Sequence, residues 1–86
     1  MRVVVVYKDN RDYTRLIDDF LSDFLRRTGH QLETLDPESL EGELFCRAYD
    51  IVEYPSVVAL SDDGKIVNSW RGTMLPTISE VSYYVQ

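Results

Sequence analysis

Apolar and polar positions alternate in period along this chain, and each change of period marks an element. Val3-Val4-Val5-Val6-Tyr7 is a continuous β-branched run, apolar on both sides, as in a central strand of a sheet covered on both faces. After the polar stretch Lys8–Asp12, the residues Tyr13, Leu16, Ile17, Phe20, Leu21, Phe24 and Leu25 fall at i, i+3, i+4 and i+7, the stripe of an amphipathic helix. Asp18, Asp19, Ser22, Asp23 and Arg26 take the other side. Asp9, Asn10 and Asp12 are candidate caps for its free backbone N–H groups. Arg26 and Arg27 suit its C-terminal dipole, and Gly29 suits a left-handed C-cap.

The segment His30–Asp36, with Leu32 and Leu35, predicts a shorter, less buried strand. Asp36-Pro37-Glu38 then looks like a helix start, with Asp36 as cap and Pro37 in the first turn. Leu40, Leu44, Phe45, Ala48 and Tyr49 supply the apolar face of that helix, and Gly42 lowers its intrinsic propensity by about 1 kcal/mol relative to Ala. Ser56–Leu60 is a second strand apolar on both sides, followed by the turn Asp63-Gly64 and a returning strand from Lys65 to Arg71. Gly72 marks its exit. Thr77-Ile78-Ser79-Glu80 is a capping box, with Ile78, Val81 and Val85 at helical spacing after it. The order is β-α-β-α-β-β-α, without linker, low-complexity tract or internal repeat.

Element order, Tyr54-Pro55 directly before an apolar strand, the Asp63-Gly64 hairpin and the Gly72 exit together resemble the thioredoxin-like superfamily, in its minimal, glutaredoxin-like form. The resemblance spans nearly the whole chain. It implies an α/β fold, one domain over residues 1–86, with a four-stranded mixed sheet flanked by three helices. It also implies a cis Tyr54–Pro55 peptide, which composition alone does not suggest. From their shared two-sided apolarity and the helical crossovers between them, the strands at Val3–Val6 and Ser56–Leu60 are expected to run parallel.

The family's Cys-x-x-Cys motif is absent. The corresponding segment is Arg11-Asp12-Tyr13-Thr14, with Arg11 and Thr14 on the two sulfur positions, and no shift of register supplies a cysteine. Neither dithiol nor monothiol chemistry is therefore expected there. After the hairpin the chain reads Trp70-Arg71-Gly72-Thr73, without the paired glycines of glutathione-binding glutaredoxins, and no cofactor is expected. What the resemblance leaves is a surface shared by the 8–14 loop and Tyr54-Pro55. In the family, the residue before the cis proline offers its backbone to an extended peptide, a form of strand addition. Arg11, Asp12, Tyr13, Tyr54 and Pro55 are the candidate groove.

Composition narrows the partners. The chain has 86 residues and a formal net charge of −6, which disfavours phosphate backbones and anionic membranes. A protein or peptide partner is expected, with no nucleic acid and no membrane, and a monomer or weak dimer. One cysteine, Cys46, excludes an internal disulfide and a Cys-rich zinc site. No run approaches a membrane span, the N-terminal apolar run is short for a signal peptide, and a cytoplasmic location is expected.

Cys46 projects opposite the Leu44–Ala48 side of its helix, where an exposed, reactive thiol is one reading and an inert cysteine another. Asp9, Asp12 and Asp36 lack the carboxylate alternation and glycine of a calcium loop; capping accounts for them. His30 reads as a solvated turn residue. Trp70 is expected to pack in or beside the core, and one of Tyr83 and Tyr84 must point away from the Val81–Val85 stripe. The function expected is a non-catalytic thioredoxin-like module binding a protein or peptide. The alternative is a divergent thiol-redox protein acting through Cys46. A third reading is a structural subunit dimerising through its aromatic C-terminal helix.

Overall fold

The computed structural model describes residues 1–9 and 12–85. The elements are β1 (Arg2–Val6), α1 (Thr14–Thr28), β2 (Glu33–Leu35), α2 (Leu40–Tyr49), β3 (Ser56–Leu60), β4 (Ile66–Arg71) and α3 (Ile78–Ser82). The four strands form one mixed sheet in the order β2-β1-β3-β4, so the two strands apolar on both sides are indeed the central ones. Val3–Val6 and Ser56–Leu60 are buried throughout. Alternation splits them between two cores. Val3, Val5, Val57 and Ala59 pack under Ile17 and Phe24 of α1 and Val81 of α3. Val4, Val6, Val58 and Leu60 pack under Cys46 and Ile51.

β1 and β2 are parallel, but β1 and β3 are antiparallel, which corrects the expected direction. Val6 is paired with both Leu35 and Ser56. The chain between β2 and β3 therefore leaves and re-enters the sheet at the same end, and β3 must run back against β1. Burial on both faces reports that a strand is central; it carries no information on direction.

α1 follows its pattern closely. Gly29 is its left-handed C-cap and donates to the Leu25 carbonyl at 2.8 Å. Its N-cap is Tyr13, with no side-chain cap bond, so Asp9 and Asp12 do not take that role; Asn10 lies outside the described residues. β2 is only three residues long and poorly covered. α2 departs most from expectation. It begins at Leu40, three residues beyond Pro37, and its cap is Ser39, whose hydroxyl accepts from Gly42 N–H at 3.0 Å. Asp36 instead closes the preceding turn: its side chain accepts from Glu38 N–H and its carbonyl from Ser39 N–H.

The packing face of α2 is rotated from the expected one, keeping Phe45 and Tyr49 but not Leu40, Leu44 or Ala48. Gly42 and Cys46 are buried, Phe45 and Tyr49 half-buried, and Leu40 and Leu44 face solvent at 76% and 56% exposure. Gly42 decides this orientation. A Cβ there would lie 1.8 Å from the Asp36 carbonyl oxygen, so the 36–39 turn can press against the first turn of α2 only where no side chain stands. Cys46, on the same side, is consequently buried against β1 and β3 rather than presented to solvent.

The β3–β4 hairpin closes through Ser61 and Lys65, with an irregularity at Ala59–Leu60. On the edge strand β4, the Asn68 carboxamide accepts from Ser69 N–H at 2.8 Å and donates to the Tyr84 hydroxyl at 3.1 Å. Trp70 meets Tyr84 edge-on at 5.8 Å between centroids. Both are half-buried, whereas Tyr83 is 67% exposed; it is the tyrosine that points away. α3 has the full Thr77–Glu80 capping box.

Candidate functional site

The loop after β1, the start of α1 and the approach to β3 converge at one end of the sheet. Tyr13 is buried in the α1-side core, and its phenol oxygen accepts from Lys8 N–H at 3.1 Å. The Thr14 hydroxyl reaches the Lys8 carbonyl at 3.5 Å and the Asp9 carboxylate at 3.4 Å. These bonds hold Lys8 and Asp9 against the first turn of α1. The Lys8 ammonium then lies 5.3 Å from the centre of the Tyr54 ring and 3.7 Å from Glu38, a cation–π placement with a carboxylate on the far side.

Tyr54 is half-buried and packs against both cores, with its hydroxyl 3.4 Å from the Ile51 carbonyl. Burial, then the adjacent Cys46 thiol and Tyr13, push its phenol pKa above the ordinary value of 10.0. Tyr7 is raised too, by burial and then by Asp18 and Asp9. The Tyr54–Pro55 peptide is cis. The Pro55 carbonyl accepts from Gly72 N–H at 2.8 Å, which ties the exit of β4 to the entry of β3. Among the described residues, the Tyr54 N–H and C=O make no backbone hydrogen bond. They are a free donor–acceptor pair of the kind an added strand uses.

Gly72 is favoured here by its φ of +81°; a Cβ would meet only the movable Glu53 carboxylate, at 3.0 Å. Two residues further on, Met74 is 88% exposed.

Tyr54, Pro55 and Tyr13 thus share one end of the sheet with the start of α1, and Asp12 is exposed beside it. Arg11 lies outside the described residues. Tyr13 is a core residue whose phenol braces the loop, so it is not the exposed aromatic contact expected. Cys46 belongs to the core on the opposite face of the sheet. Lys8, Glu53 and Met74 were not singled out from sequence. The position of Lys8 just after β1 was a usable signal, but no periodicity marks Met74. A cleft of about 220 Å³ opens nearby at the ends of β1 and β2, lined by Tyr7, Asp9, Thr34, Leu35 and Asp36. Among the described residues no group of three or more His, Cys, Asp or Glu is placed to hold a metal. No helix among them is long and apolar enough to cross a membrane.

A central β1–β3 pair, a parallel β1–β2 edge, a β3–β4 hairpin entered through a cis proline, and helices on both faces define a thioredoxin-like fold. Two solved structures agree over nearly the whole chain. Thioredoxin 1 from Thermosipho africanus TCF52B superposes with a TM-score of 0.67 at 14% identity, covering 99% of this chain and 90% of that one. A thioredoxin from Thermus thermophilus gives a TM-score of 0.60 at 17% identity, covering 94% and 67%. No protein-family model matches the chain, and no curated protein is detectably similar in sequence.

Proposed function

We propose that this protein is a non-catalytic, cytoplasmic thioredoxin-like module that binds a protein or peptide partner at the surface around Tyr54. The observation that carries this reading is the unpaired backbone of Tyr54, with the Lys8 ammonium over its ring and the Pro55–Gly72 hydrogen bond directly after it. An extended chain laid there gains main-chain hydrogen bonds without displacing existing ones, and Lys8 and Met74 contact its side chains. Asp12 is exposed beside the same surface. Against catalysis stands the absence of sulfur from the start of α1. A thiol there would be activated by the helix N-terminus, whereas Cys46 is 8% exposed within an apolar cluster.

The test is to recover a partner by pull-down and compare its affinity for wild type, Met74→Ala and Lys8→Glu. These side chains are substantially exposed, so stability should change by no more than about 0.5 kcal/mol. Affinity should fall at least about tenfold if they belong to the contact. Unchanged affinity in both variants moves the binding surface elsewhere. Insulin-reduction and glutathione-dependent assays are expected to give no turnover. Turnover abolished by Cys46→Ser would support the thiol-redox alternative instead.

A further inference from the structure

The outer side of α2 carries a second surface, distinct from the one around Tyr54. Leu40 and Leu44 lie one turn apart with 76% and 56% of their surface open. Ala48, exposed a turn later, continues the line, and Val52, just beyond the C-cap Asp50, is 77% exposed. None of these is part of either core. Large aliphatic side chains placed singly on a surface need no explanation. A row of them along one helix, at the i, i+4 spacing by which helices meet, is the pattern of a helix-in-groove contact.

The charge around the row specifies the partner. Between residues 36 and 53 the chain carries Asp36, Glu38, Glu41, Glu43, Asp50 and Glu53 against Arg47 alone, a net −5 of the whole protein's −6. By contrast α1 is neutral: Arg15, Arg26 and Arg27 against Asp18, Asp19 and Asp23. Arg47 is already bound to Glu43 at 2.7 Å, and Glu38 lies 3.7 Å from Lys8. Among the described residues, Glu41 and Asp50 have no cation within ion-pair distance. The acids at the N-terminal end suit the helix dipole, but Asp50, the C-cap, opposes it. The apolar row is thus rimmed by carboxylates that the fold does not neutralise.

We infer that the Leu40–Leu44–Ala48 face of α2 docks a cationic amphipathic helix of a partner protein. Apolar residues of that helix cover the leucines, and its Lys or Arg residues reach Glu41 and Asp50. A second copy of this chain is disfavoured, because two such faces bring like charges together. An anionic bilayer is disfavoured for the same reason.

The probe is a synthetic peptide of about 14 residues, roughly four helical turns, with Leu at i, i+3, i+4 and i+7 and Lys elsewhere. It is titrated into the isotopically labelled full chain and followed by amide chemical shifts. Saturable shifts centred on residues 40, 44, 48 and 52 are expected. A scrambled peptide of the same composition should bind at least fivefold more weakly, and a Glu-for-Lys peptide not at all. Leu40→Ser and Leu44→Ser should each weaken binding at least fivefold with an unchanged circular dichroism spectrum. Glu41→Lys should weaken it most at low salt. The proposal is overturned if no binding occurs, if the scrambled peptide binds equally well, or if the shifts centre on Tyr54 and Gly72. It is equally overturned if sedimentation shows wild type self-associating through a contact that Leu44→Ser removes, since a second copy then covers the face. Tyr54 plays no part in this contact, so failure here leaves the Tyr54 surface untouched, and the reverse also holds.

Discussion

On one face of the sheet, Ile17 and Phe24 of α1 and Val81 of α3 are wholly buried over Val3, Val5, Val57 and Ala59. On the other, Cys46 and Ile51 retain 8–9% exposure over Val4, Val6, Val58 and Leu60. The helices over the first layer contribute wholly buried large side chains, whereas α2 contributes one buried cysteine and the half-buried Phe45 and Tyr49. The first turn of α2 is held to the 36–39 turn by the absence of a side chain at Gly42. Phe45 and Tyr49 cover that layer from the side, while Leu40 and Leu44 are left outside. Stability should therefore reside mainly in the α1 layer, and adaptable surface in the α2 layer.

The sharpest way to break this contrast is to truncate one buried residue on each side. Phe24→Ala should cost about 3–5 kcal/mol in chemical denaturation, the usual price of emptying a phenylalanine site. Cys46→Ala, which removes one sulfur, should cost only about 1 kcal/mol, near the centre of single-mutant effects. Equal losses would mean that the two layers contribute alike.

Gly42→Ala tests the other half of the argument. Alanine favours an isolated helix by about 1 kcal/mol over glycine, so propensity alone predicts stabilisation. The contact with the Asp36 carbonyl predicts a net loss of about 1–3 kcal/mol instead. The sign of the change in thermal midpoint decides between them.

α3 belongs to the better-filled layer but is only five residues long, and its capping box holds its first turn. Thr77→Ala should cost about 1 kcal/mol. The bonds from Thr77 to the Glu80 carboxylate lower the Glu80 pKa from its ordinary 4.5, with a smaller contribution from Trp70. Such a group adds stability that is present above the unfolded value and is lost as pH falls through the lower folded value. Wild type should therefore be more stable than Glu80→Gln at neutral pH, and the gap between them should close as pH falls below about 4.5. A gap that persists unchanged in acid would point to a role other than capping by the carboxylate.

The smallest effect is expected at alkaline pH, where the two layers meet at Tyr54. Its phenol, and that of Tyr7, have raised pKa values in the folded protein. Stability from a raised group is complete below the unfolded value near 10.0 and declines as pH rises through the folded value. Tyr54→Phe should flatten the alkaline side of the stability profile, read from denaturation midpoints between roughly pH 9 and 11, around the ordinary tyrosine value. An unchanged slope would assign the alkaline loss to Tyr7.

Much of this architecture was legible along the chain. Two β-branched runs named the central strands, because burial on both faces leaves no polar alternation. The stripe from Tyr13 to Leu25 named α1, Gly29 its end, and Thr77-x-x-Glu80 the start of α3, because caps and periodicity are local properties. Tyr54-Pro55 and Gly72 marked the end of the sheet where the candidate site forms. What tertiary structure alone decided was relative: the direction of β3 against β1, set by where the 36–55 connection re-enters the sheet, and the side of α2 turned inward, set by a glycine against a carbonyl. Hydrophobic periodicity finds the larger residues, and on α2 close approach selected the smaller ones. The same logic placed Cys46 in the core, made Tyr13 a brace rather than a contact, and brought Lys8 over Tyr54, since each depends on neighbours far away in sequence.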